Sequence, residues 1–209
     1  MIEVLDEFEP GHGITSEAIR PHLRAGFPWH QPDRPHPELS DPKVWWTKVG
    51  SILATGLQSE GMSYERSEEI TRLFRLRYMD GSVAWKLSPD VGSVLSQLTD
   101  DGWRNVILSN HVPELAAIVE GVGLGGLVDQ VISSANVGYE KPHPAIFALA
   151  RELSGDPQEI WMVGDNPQAD IDGARAVGIP AILEQHPDRP VTPGALSLMQ
   201  AVEVVRKSC

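Results

Sequence analysis

The sequence predicts an α/β fold in which a parallel β-sheet packs between helices, together with an all-helical unit that precedes the sheet. Short apolar runs alternate with helical patterns in the second half of the chain, an order typical of parallel sheets. The four apolar runs are residues 105–108, 131–134, 160–163 and 180–183. Residues 14–80 show apolar residues at helical spacing and no strand pattern. We therefore expect a helical unit over residues 1–86 and an α/β core over residues 87–209.

The composition is that of an ordinary globular protein, and it narrows the range of partners. With 209 residues, the chain is long enough for one domain with a large insert or for two small domains. Its net charge of −12 repels phosphate backbones, so we expect no nucleic-acid partner. The only cysteine, Cys209, excludes an internal disulfide. Because the chain has neither a bilayer-spanning apolar run nor a signal peptide, we expect a cytoplasmic protein that does not bind membranes.

Within the helical unit, the pattern predicts two long amphipathic helices at residues 42–57 and 63–78, where apolar side chains recur at intervals of three and four. Residues 1–9 give only an ambiguous helix end, and Thr15 is placed to cap a short helix. The proline-rich segment, residues 21–42, is predicted to be a long loop, which is uncommon in a compact domain and often functional. Its three histidines match no tight metal-ligand spacing, so we expect no metal there.

The core is predicted to contain further helices at residues 90–98, 113–119, 144–153 and 194–205. The most informative part is the stretch from residue 160 to residue 178. It combines a buried strand, a turn at Gly164 and a helix that Asn166 caps and Gly178 ends. Asp165 then stands at the end of the strand and Asp170 in the first turns of the helix. Two carboxylates in one small volume favour a cation, and oxygen ligands of this type suit Mg²⁺.

Two other strands of the predicted sheet are followed by polar residues. Ser109, Asn110 and His111 come directly after the run at residues 105–108, and Lys141 follows the run at residues 131–134. Taken singly, each has a structural explanation, as a helix cap or as a solvated surface lysine. Because ligand sites of open parallel sheets lie at the carboxyl ends of the strands, a hydroxyl, a cation and a carboxylate pair are expected to meet there. The combination indicates an anion site.

In order and spacing, these residues resemble motifs two, three and four of the haloacid dehalogenase superfamily over residues 87–185. The matching segments are Leu108-Ser109-Asn110, Lys141-Pro142-His143-Pro144-Ala145-Ile146-Phe147, and Val163-Gly164-Asp165 with Asp170. The resemblance implies a Rossmann-like parallel sheet with an inserted helical cap, and catalytic roles for Ser109, Lys141 and Asp170. Ser109 would bind the phosphoryl group, with Asn110 and His111 beside it, and Lys141 would neutralise it. Asp165 would hold Mg²⁺, and Asp170 would support the metal site or Lys141.

The family's first motif, Asp-x-Asp-Gly at the end of the central strand, supplies the nucleophile and the general acid. No such motif precedes the helical unit. Asp6 follows a faintly strand-like run, but Phe8 stands where the second aspartate should be. Residues 170–173 have the right letters but lie within a helical pattern. We therefore expect the first core strand to be absent, the nucleophile to lie upstream, and the chain alone to be inactive.

The resemblance favours a Mg²⁺-dependent phosphatase that acts on a small phosphorylated metabolite through an aspartyl-phosphate. One alternative is a non-catalytic binding or regulatory protein, in which the proline-rich segment and Trp45-Trp46 would contact a protein partner. A lesser alternative is a metal-free 2-haloacid dehalogenase, although Gly164-Asp165 argues against it. Substrate selectivity is expected to come from residues 26–36 and the region of Trp45. A homodimer through the helical unit is compatible with the sequence.

Overall fold

The computed structural model of the protein describes residues 1–186 and 190–208, so Cys209 lies outside the described residues. Five helices form the helical unit: α1 (Ile2–Phe8), α2 (Ser16–Ile19), α3 (Pro42–Ser59), α4 (Tyr64–Met79) and α5 (Gly81–Ala84). The two long predicted helices are confirmed as α3 and α4, which pack along each other. Asp41 caps α3 by accepting hydrogen bonds from the backbone N–H groups of Lys43 and Val44, and Ser63 caps α4.

The proline-rich segment contains three short 3₁₀ turns: Arg20–Leu23, Pro28–His30 and Pro37–Ser40. Each turn has a proline in its first two positions, where a missing backbone N–H costs nothing. The end of the segment contacts the core through His36. Its backbone N–H donates to the Gly138 carbonyl over 2.9 Å, and its Nε2 lies 3.2 Å from Oε1 of the buried Glu140. This part of the predicted loop is therefore fixed against the core.

The core alternates strands and helices, as the sequence predicts. In chain order its elements are α6 (Val91–Asp100), β1 (Val106–Ser109), α7 (Leu115–Gly121), β2 (Gln130–Ser133), α8 (Ser134–Val137), α9 (Pro144–Leu153), β3 (Met162–Gly164), a π-helical segment (Pro167–Asp172), α10 (Gly173–Ala176), β4 (Ala181–Leu183) and α11 (Leu198–Arg206). The prediction that Ser134 belongs to a strand is wrong. Ser133 caps α8 by accepting a hydrogen bond from Ala135, so the helix begins at Ser134. No helix of residues 1–186 and 190–208 is long and apolar enough to cross a membrane.

The strands form two parallel pairs. Val106 to Ser109 of β1 align with Gln130 to Ser133 of β2, and β3 aligns in the same way with β4. Among the described strands, β1 and β3 do not pair with each other. The two pairs nevertheless share a core, because Leu108 of β1 and Met162 of β3 belong to one hydrophobic cluster with the buried Ile146 and Phe147. The absence of the first core strand stays a prediction.

The helical unit meets the core where α5 packs against α7. A Cβ atom on Gly81 would lie 2.8 Å from the carbonyl carbon of Gly121 and 2.8 Å from the carbonyl oxygen of Ile118. Both neighbours are backbone atoms and cannot rotate away. Glycine at this position therefore allows the two helices to touch backbone to backbone.

Candidate active site

Lys141 is fixed between the end of β1 and the segment that follows β3. Its ammonium Nζ donates to the carbonyl oxygen of Leu108 over 2.7 Å and to Oδ1 of Asp170 over 2.5 Å. The residue is only 8% exposed, so its charge needs the opposite charge of Asp170 nearby. Its backbone N–H donates to Oδ1 of Asn110 over 2.7 Å, and Nδ2 of Asn110 donates back to the Lys141 carbonyl over 2.9 Å. This reciprocal pair fixes the lysine backbone beside the residue that follows Ser109.

Asp170 uses both carboxylate oxygens within the protein. Oδ1 accepts from Lys141, and Oδ2 accepts from the backbone N–H of Asn166 over 3.0 Å. A Cβ on Gly164 would lie 2.5 Å from Oδ2, so a glycine there makes room for the carboxylate. Asp170 is thus arranged to position Lys141. Each carboxylate oxygen has two lone pairs. A direct bond from Asp170 to a metal ion would use the lone pairs that these two donors leave free.

The segment around Asp170 differs from the predicted helix because its turns are wider. Asn166 caps it as expected, accepting from the backbone N–H groups of Gln168 and Ala169. Its carbonyl accepts from Asp170 over 2.9 Å and also from Ile171 over 3.3 Å, five residues on. Such π-helical turns are rare and occur frequently at functional sites. The periodicity of apolar residues gave no sign of the extra residue per turn.

Asp165 follows β3 directly, as the sequence predicts, and Glu184 follows β4 in the same way. Burial raises the pKa of the Glu184 carboxyl, and the negative charge of Asp165 raises it further. The sequence analysis missed Glu184, although an acid directly after an apolar run was a signal of the kind used for Asp165. Within residues 1–186 and 190–208, no group of three or more histidine, cysteine or acidic side chains is arranged to hold a metal ion.

His111 forms a pair with Tyr78 of α4, a residue that the sequence analysis did not single out. Tyr78 Oη lies 3.1 Å from Nε2 of His111, and the two rings stack with centroids 5.6 Å apart. Burial lowers the pKa of His111 to about 4 and raises the pKa of Tyr78 to about 12. Both side chains are therefore neutral at pH 7. Their separation of 33 positions explains why a search for local patterns could not find the pair.

A cavity of about 590 Å³ lies between the helical unit and the core. The helical unit contributes Trp29, His30, Pro32, Trp45 and Tyr78 to its lining. The core contributes Asn110, His111, Val112, Lys141, Pro142, Asn166, Gln168 and Ala169. Ser109 and Asp165 flank these residues in sequence but are not among the lining residues that the structure describes. The segment of residues 26–36 and Trp45, from which selectivity was expected to come, therefore contributes to the cavity beside Lys141.

The two candidate aspartates for the first motif lie elsewhere. Asp6 is exposed in α1, and its Oδ1 lies 3.1 Å from Nε2 of His12. It does not follow a strand. Asp172 is exposed at the end of the π-helical segment. Neither residue lines the described cavity.

Comparison with known sequences identifies related enzymes. The profile of haloacid dehalogenase-like hydrolases matches residues 43–178. A phosphoserine phosphatase from Thermus thermophilus is 34% identical over 149 residues, which are 69% of this chain and 57% of that protein. A ribulose-1,5-bisphosphate 5-phosphatase from Halopiger xanaduensis is 37% identical over 99 residues, which are 46% of this chain and 41% of that protein. The chain thus spans about half the length of these two relatives.

Solved structures share the fold. The L-2-haloacid dehalogenase from Xanthobacter autotrophicus with chloropropionic acid covalently bound superposes with a TM-score of 0.68 at 19% identity, covering 99% of this chain and 92% of that one. A HAD phosphatase from Thermococcus onnurineus gives a TM-score of 0.56 at 22% identity, covering 79% and 91%. At these identities the similarity concerns the fold alone. Because the sequence profile matches well over half of its residues, the chain belongs to the haloacid dehalogenase-like hydrolase family, with that family's Rossmann-like α/β fold.

Proposed function

We propose that the chain is part of a Mg²⁺-dependent phosphatase that acts on a small phosphorylated metabolite. The observation that carries this proposal is the position of Lys141. It is a nearly buried ammonium that lines the cavity and is fixed by Asp170 and the Leu108 carbonyl at the end of β1. A fixed cation beside a cavity is suited to a phosphoryl group, whose negative charge it meets without reorganisation. The phosphatases among the sequence relatives support the same chemistry.

Each candidate residue then has a separate role. The hydroxyl of Ser109 and the amide of Asn110 bind phosphoryl oxygens, and His111 lines the site as a neutral hydrogen-bonding group. Lys141 neutralises the phosphoryl charge and that of the attacking group. Asp170 fixes the direction of the Lys141 ammonium and supports the metal site, because each of its oxygens accepts one hydrogen bond from the protein and keeps a further lone pair.

The carboxylates that follow β3 and β4 are ligands of the type that Mg²⁺ prefers. Magnesium prefers carboxylate oxygens and usually keeps several water ligands, so it needs few groups from the protein. Burial is the main cause that raises the pKa of Glu184, and the charge of Asp165 raises it further, so a cation near the two carboxylates would relieve their repulsion. We propose that Asp165 holds the ion. When bound, Mg²⁺ would offset the negative charge that develops on the phosphoryl group.

We propose that the attacking group belongs to a further strand, which would fit between β1 and β3 because these two described strands do not pair with each other. A carboxylate at the end of that strand would lie beside Lys141. Its oxygen would attack phosphorus while the bond to the leaving oxygen breaks, and water would then hydrolyse the aspartyl-phosphate to release phosphate. The boundary between helical unit and core at residues 86 and 87, the cytoplasmic location and the homodimer stay predictions.

Phosphate release from phenyl phosphate by a form extended at the N-terminus with the proposed strand tests this function. We expect turnover that requires Mg²⁺ and that falls at least about 100-fold in Asp165→Asn, because the metal loses its carboxylate ligand. Asp172→Asn is the matched control, since this exposed acid lies in the same segment and outside the cavity. Turnover that persists without Mg²⁺, or that Asp165→Asn leaves unchanged, would contradict the proposal.

A non-catalytic binding protein is the second candidate, and one observation favours it for the chain alone. Neither Asp6 nor Asp172 lines the described cavity, where an attacking group would have to be. A chain that binds phosphate and never releases it from an ester, with or without an N-terminal extension, would establish this alternative. The metal-free dehalogenase is disfavoured because it has little use for the acids that follow β3 and β4. Halide release from a 2-haloacid without Mg²⁺ would nevertheless establish it.

A further inference from the structure

Lys141 stands in the segment between α8 and α9, residues 138–143, which we call the Lys141 segment. The core holds this segment through the hydrogen bonds of Lys141 described above. The helical unit reaches the same segment through His36, whose backbone N–H donates to the carbonyl of Gly138 over 2.9 Å. The proposed function gives no role to this second attachment.

The side chains of His36 and Glu140 form a buried pair at the second attachment. Nε2 of His36 lies 3.2 Å from Oε1 of Glu140, and the two residues are only 4% and 1% exposed. The next residue along the chain is Lys141, whose side chain runs instead to Asp170 and the end of β1. Two consecutive side chains therefore tie the Lys141 segment to different partners, one in the helical unit and one in the core.

The pair of His36 and Glu140 is a poor source of stability. The two ring nitrogens of His36 and Oε2 of Glu140 are buried, and they make no hydrogen bond of good geometry with the residues that the structure describes. Buried polar atoms without hydrogen bonds cost free energy, and the loss of hydration offsets the attraction within a buried ion pair. What the contact fixes is position, because it holds the helical unit and the Lys141 segment in one relative arrangement.

Apolar contacts continue the attachment beyond His36. Leu39 is 1% exposed and belongs to one hydrophobic cluster with Val112 and Ala135 of the core. The 3₁₀ turn Pro37–Ser40 packs against α8, which directly precedes the Lys141 segment. These non-directional contacts keep the two parts together, and the polar contact of His36 then sets where the Lys141 segment lies against them.

The same attachment links the two sets of residues that line the cavity. Trp29, His30 and Pro32 lie a few positions before His36 and contribute to the lining from the helical unit, and Lys141 contributes to it from the core. A shift of His36 relative to the Lys141 segment would therefore change both the shape of the cavity and the place of the ammonium within it.

We infer that His36 and Glu140 are positioning residues for the phosphoryl group, because their contact holds the Lys141 segment where the ammonium of Lys141 meets a bound phosphate. This inference rests on the proposed function, since it takes Lys141 as the group that binds the phosphoryl oxygens. Neither His36 nor Glu140 is among the lining residues that the structure describes. Both act through Lys141, and the helical unit thereby contributes to phosphate affinity.

Calorimetry with inorganic phosphate and Mg²⁺ on this chain tests the inference. Glu140→Ala removes the contact and leaves no buried carboxylate behind, and we expect phosphate affinity to fall at least about tenfold. Glu140→Gln keeps the length of the side chain and a polar end for His36, so it should restore most of the affinity. Glu60→Ala is the matched control and should lose none, because Glu60 pairs with His22 over 2.8 Å within the helical unit.

Two further variants keep the test decisive. If Glu140→Ala does not fold, Glu140→Met fills the same space with apolar atoms and lacks the contact, so it carries the same expectation. The double variant His36→Ala/Glu140→Ala should bind phosphate as Glu140→Ala does, because two side chains that act as one unit are not additive. A much larger loss in the double variant would show that His36 acts by another route, which would overturn its assignment to the pair.

A spectroscopic measurement separates positioning from a general loss of stability. In protein labelled with ¹⁵N in its lysines, the ammonium signal of Lys141 is identified by its absence from Lys141→Gln/Asp170→Asn. The signal should shift or broaden in Glu140→Ala, return in Glu140→Gln and stay in place in Glu60→Ala. An unchanged Lys141 signal in Glu140→Ala would overturn the inference, because the pair would then not position the ammonium.

The two proposals fail in different ways. If wild type binds phosphate and Glu140→Ala binds it equally well, the pair does not position Lys141 and the proposed function remains supported. If wild type does not bind phosphate, Lys141 does not recognise a phosphoryl group. That result would overturn both the proposed function and the inference that rests on it.

Discussion

At the scale of single residues, the site depends on an ion pair that is almost removed from water. Lys141 and Asp170 are 8% and 4% exposed, so each charge is costly without the other. The pair is not itself a source of large net stability, because attraction and desolvation nearly cancel. The pair instead fixes the orientation of the two side chains. Lys141 donates to the Leu108 carbonyl and Asp170 accepts from the Asn166 backbone N–H, and these bonds leave one arrangement of the pair. Gly164 makes that arrangement possible by lacking a Cβ.

His111 makes stability depend on pH. Burial lowers its pKa from 6.5 to about 4 in the folded protein, so the unfolded chain takes up the proton first as the pH falls. The neutral ring therefore contributes fully above pH 6.5, and its contribution of up to about 3 kcal/mol is lost as the pH falls towards 4. Urea unfolding of wild type and His111→Gln across this range checks it. Between pH 6.5 and pH 4, the free energy of unfolding of His111→Gln should fall less than that of wild type, by up to about 3 kcal/mol.

His22→Gln is the control for this measurement, because it removes an exposed histidine of the helical unit that bonds to Glu60. The free energy of unfolding of His22→Gln should depend on pH more steeply than that of His111→Gln. Equal pH dependence in wild type and His111→Gln would show that the buried ring does not set acid stability.

At the scale of elements, the contact between α5 and α7 depends on Gly81. Alanine favours helices over glycine, but its Cβ would meet backbone atoms of Gly121 and Ile118 at 2.8 Å. The two helices would have to separate, so we expect Gly81→Ala to lower the free energy of unfolding by about 1–3 kcal/mol. Gly126→Ala is the matched control, because no atom lies within 4 Å of a Cβ there. Equal stability of the two variants would mean that the contact is looser than described.

Element boundaries were predictable where local chemistry sets them. Thr15 and Asn166 cap the segments that the sequence assigned to them, because a capping side chain bonds only to backbone within a few residues. Contacts between distant positions were not predictable from local patterns, and the π-helical segment accompanies one of them, the bond of Asp170 to Lys141 across 29 positions. For the same reason, the sequence identified His111 but not its partner Tyr78.

At the scale of the whole molecule, strand order explains why the site lies where it does. Parallel strands bring Ser109 and Asp165 to their carboxyl ends, and the sequence was sufficient to predict that edge. The cavity could not be predicted without the structure, because Trp29, Trp45 and Tyr78 in its lining come from the proline-rich segment, α3 and α4, which are distant in sequence from Lys141.

The most direct test of the central claim is the binding of inorganic phosphate to this chain, because binding does not depend on which residue attacks. Calorimetry with Mg²⁺ should compare wild type with Lys141→Gln/Asp170→Asn. The double variant removes both buried charges at once and leaves neither unpaired, so it should still fold. Lys43→Gln/Asp172→Asn makes the same changes at exposed positions and is the control. We predict that the buried double variant loses at least about 100-fold in phosphate affinity and that the control loses none. Phosphate affinity that is equal in all three proteins would show that Lys141 does not bind the phosphoryl group, and the proposed function would be wrong.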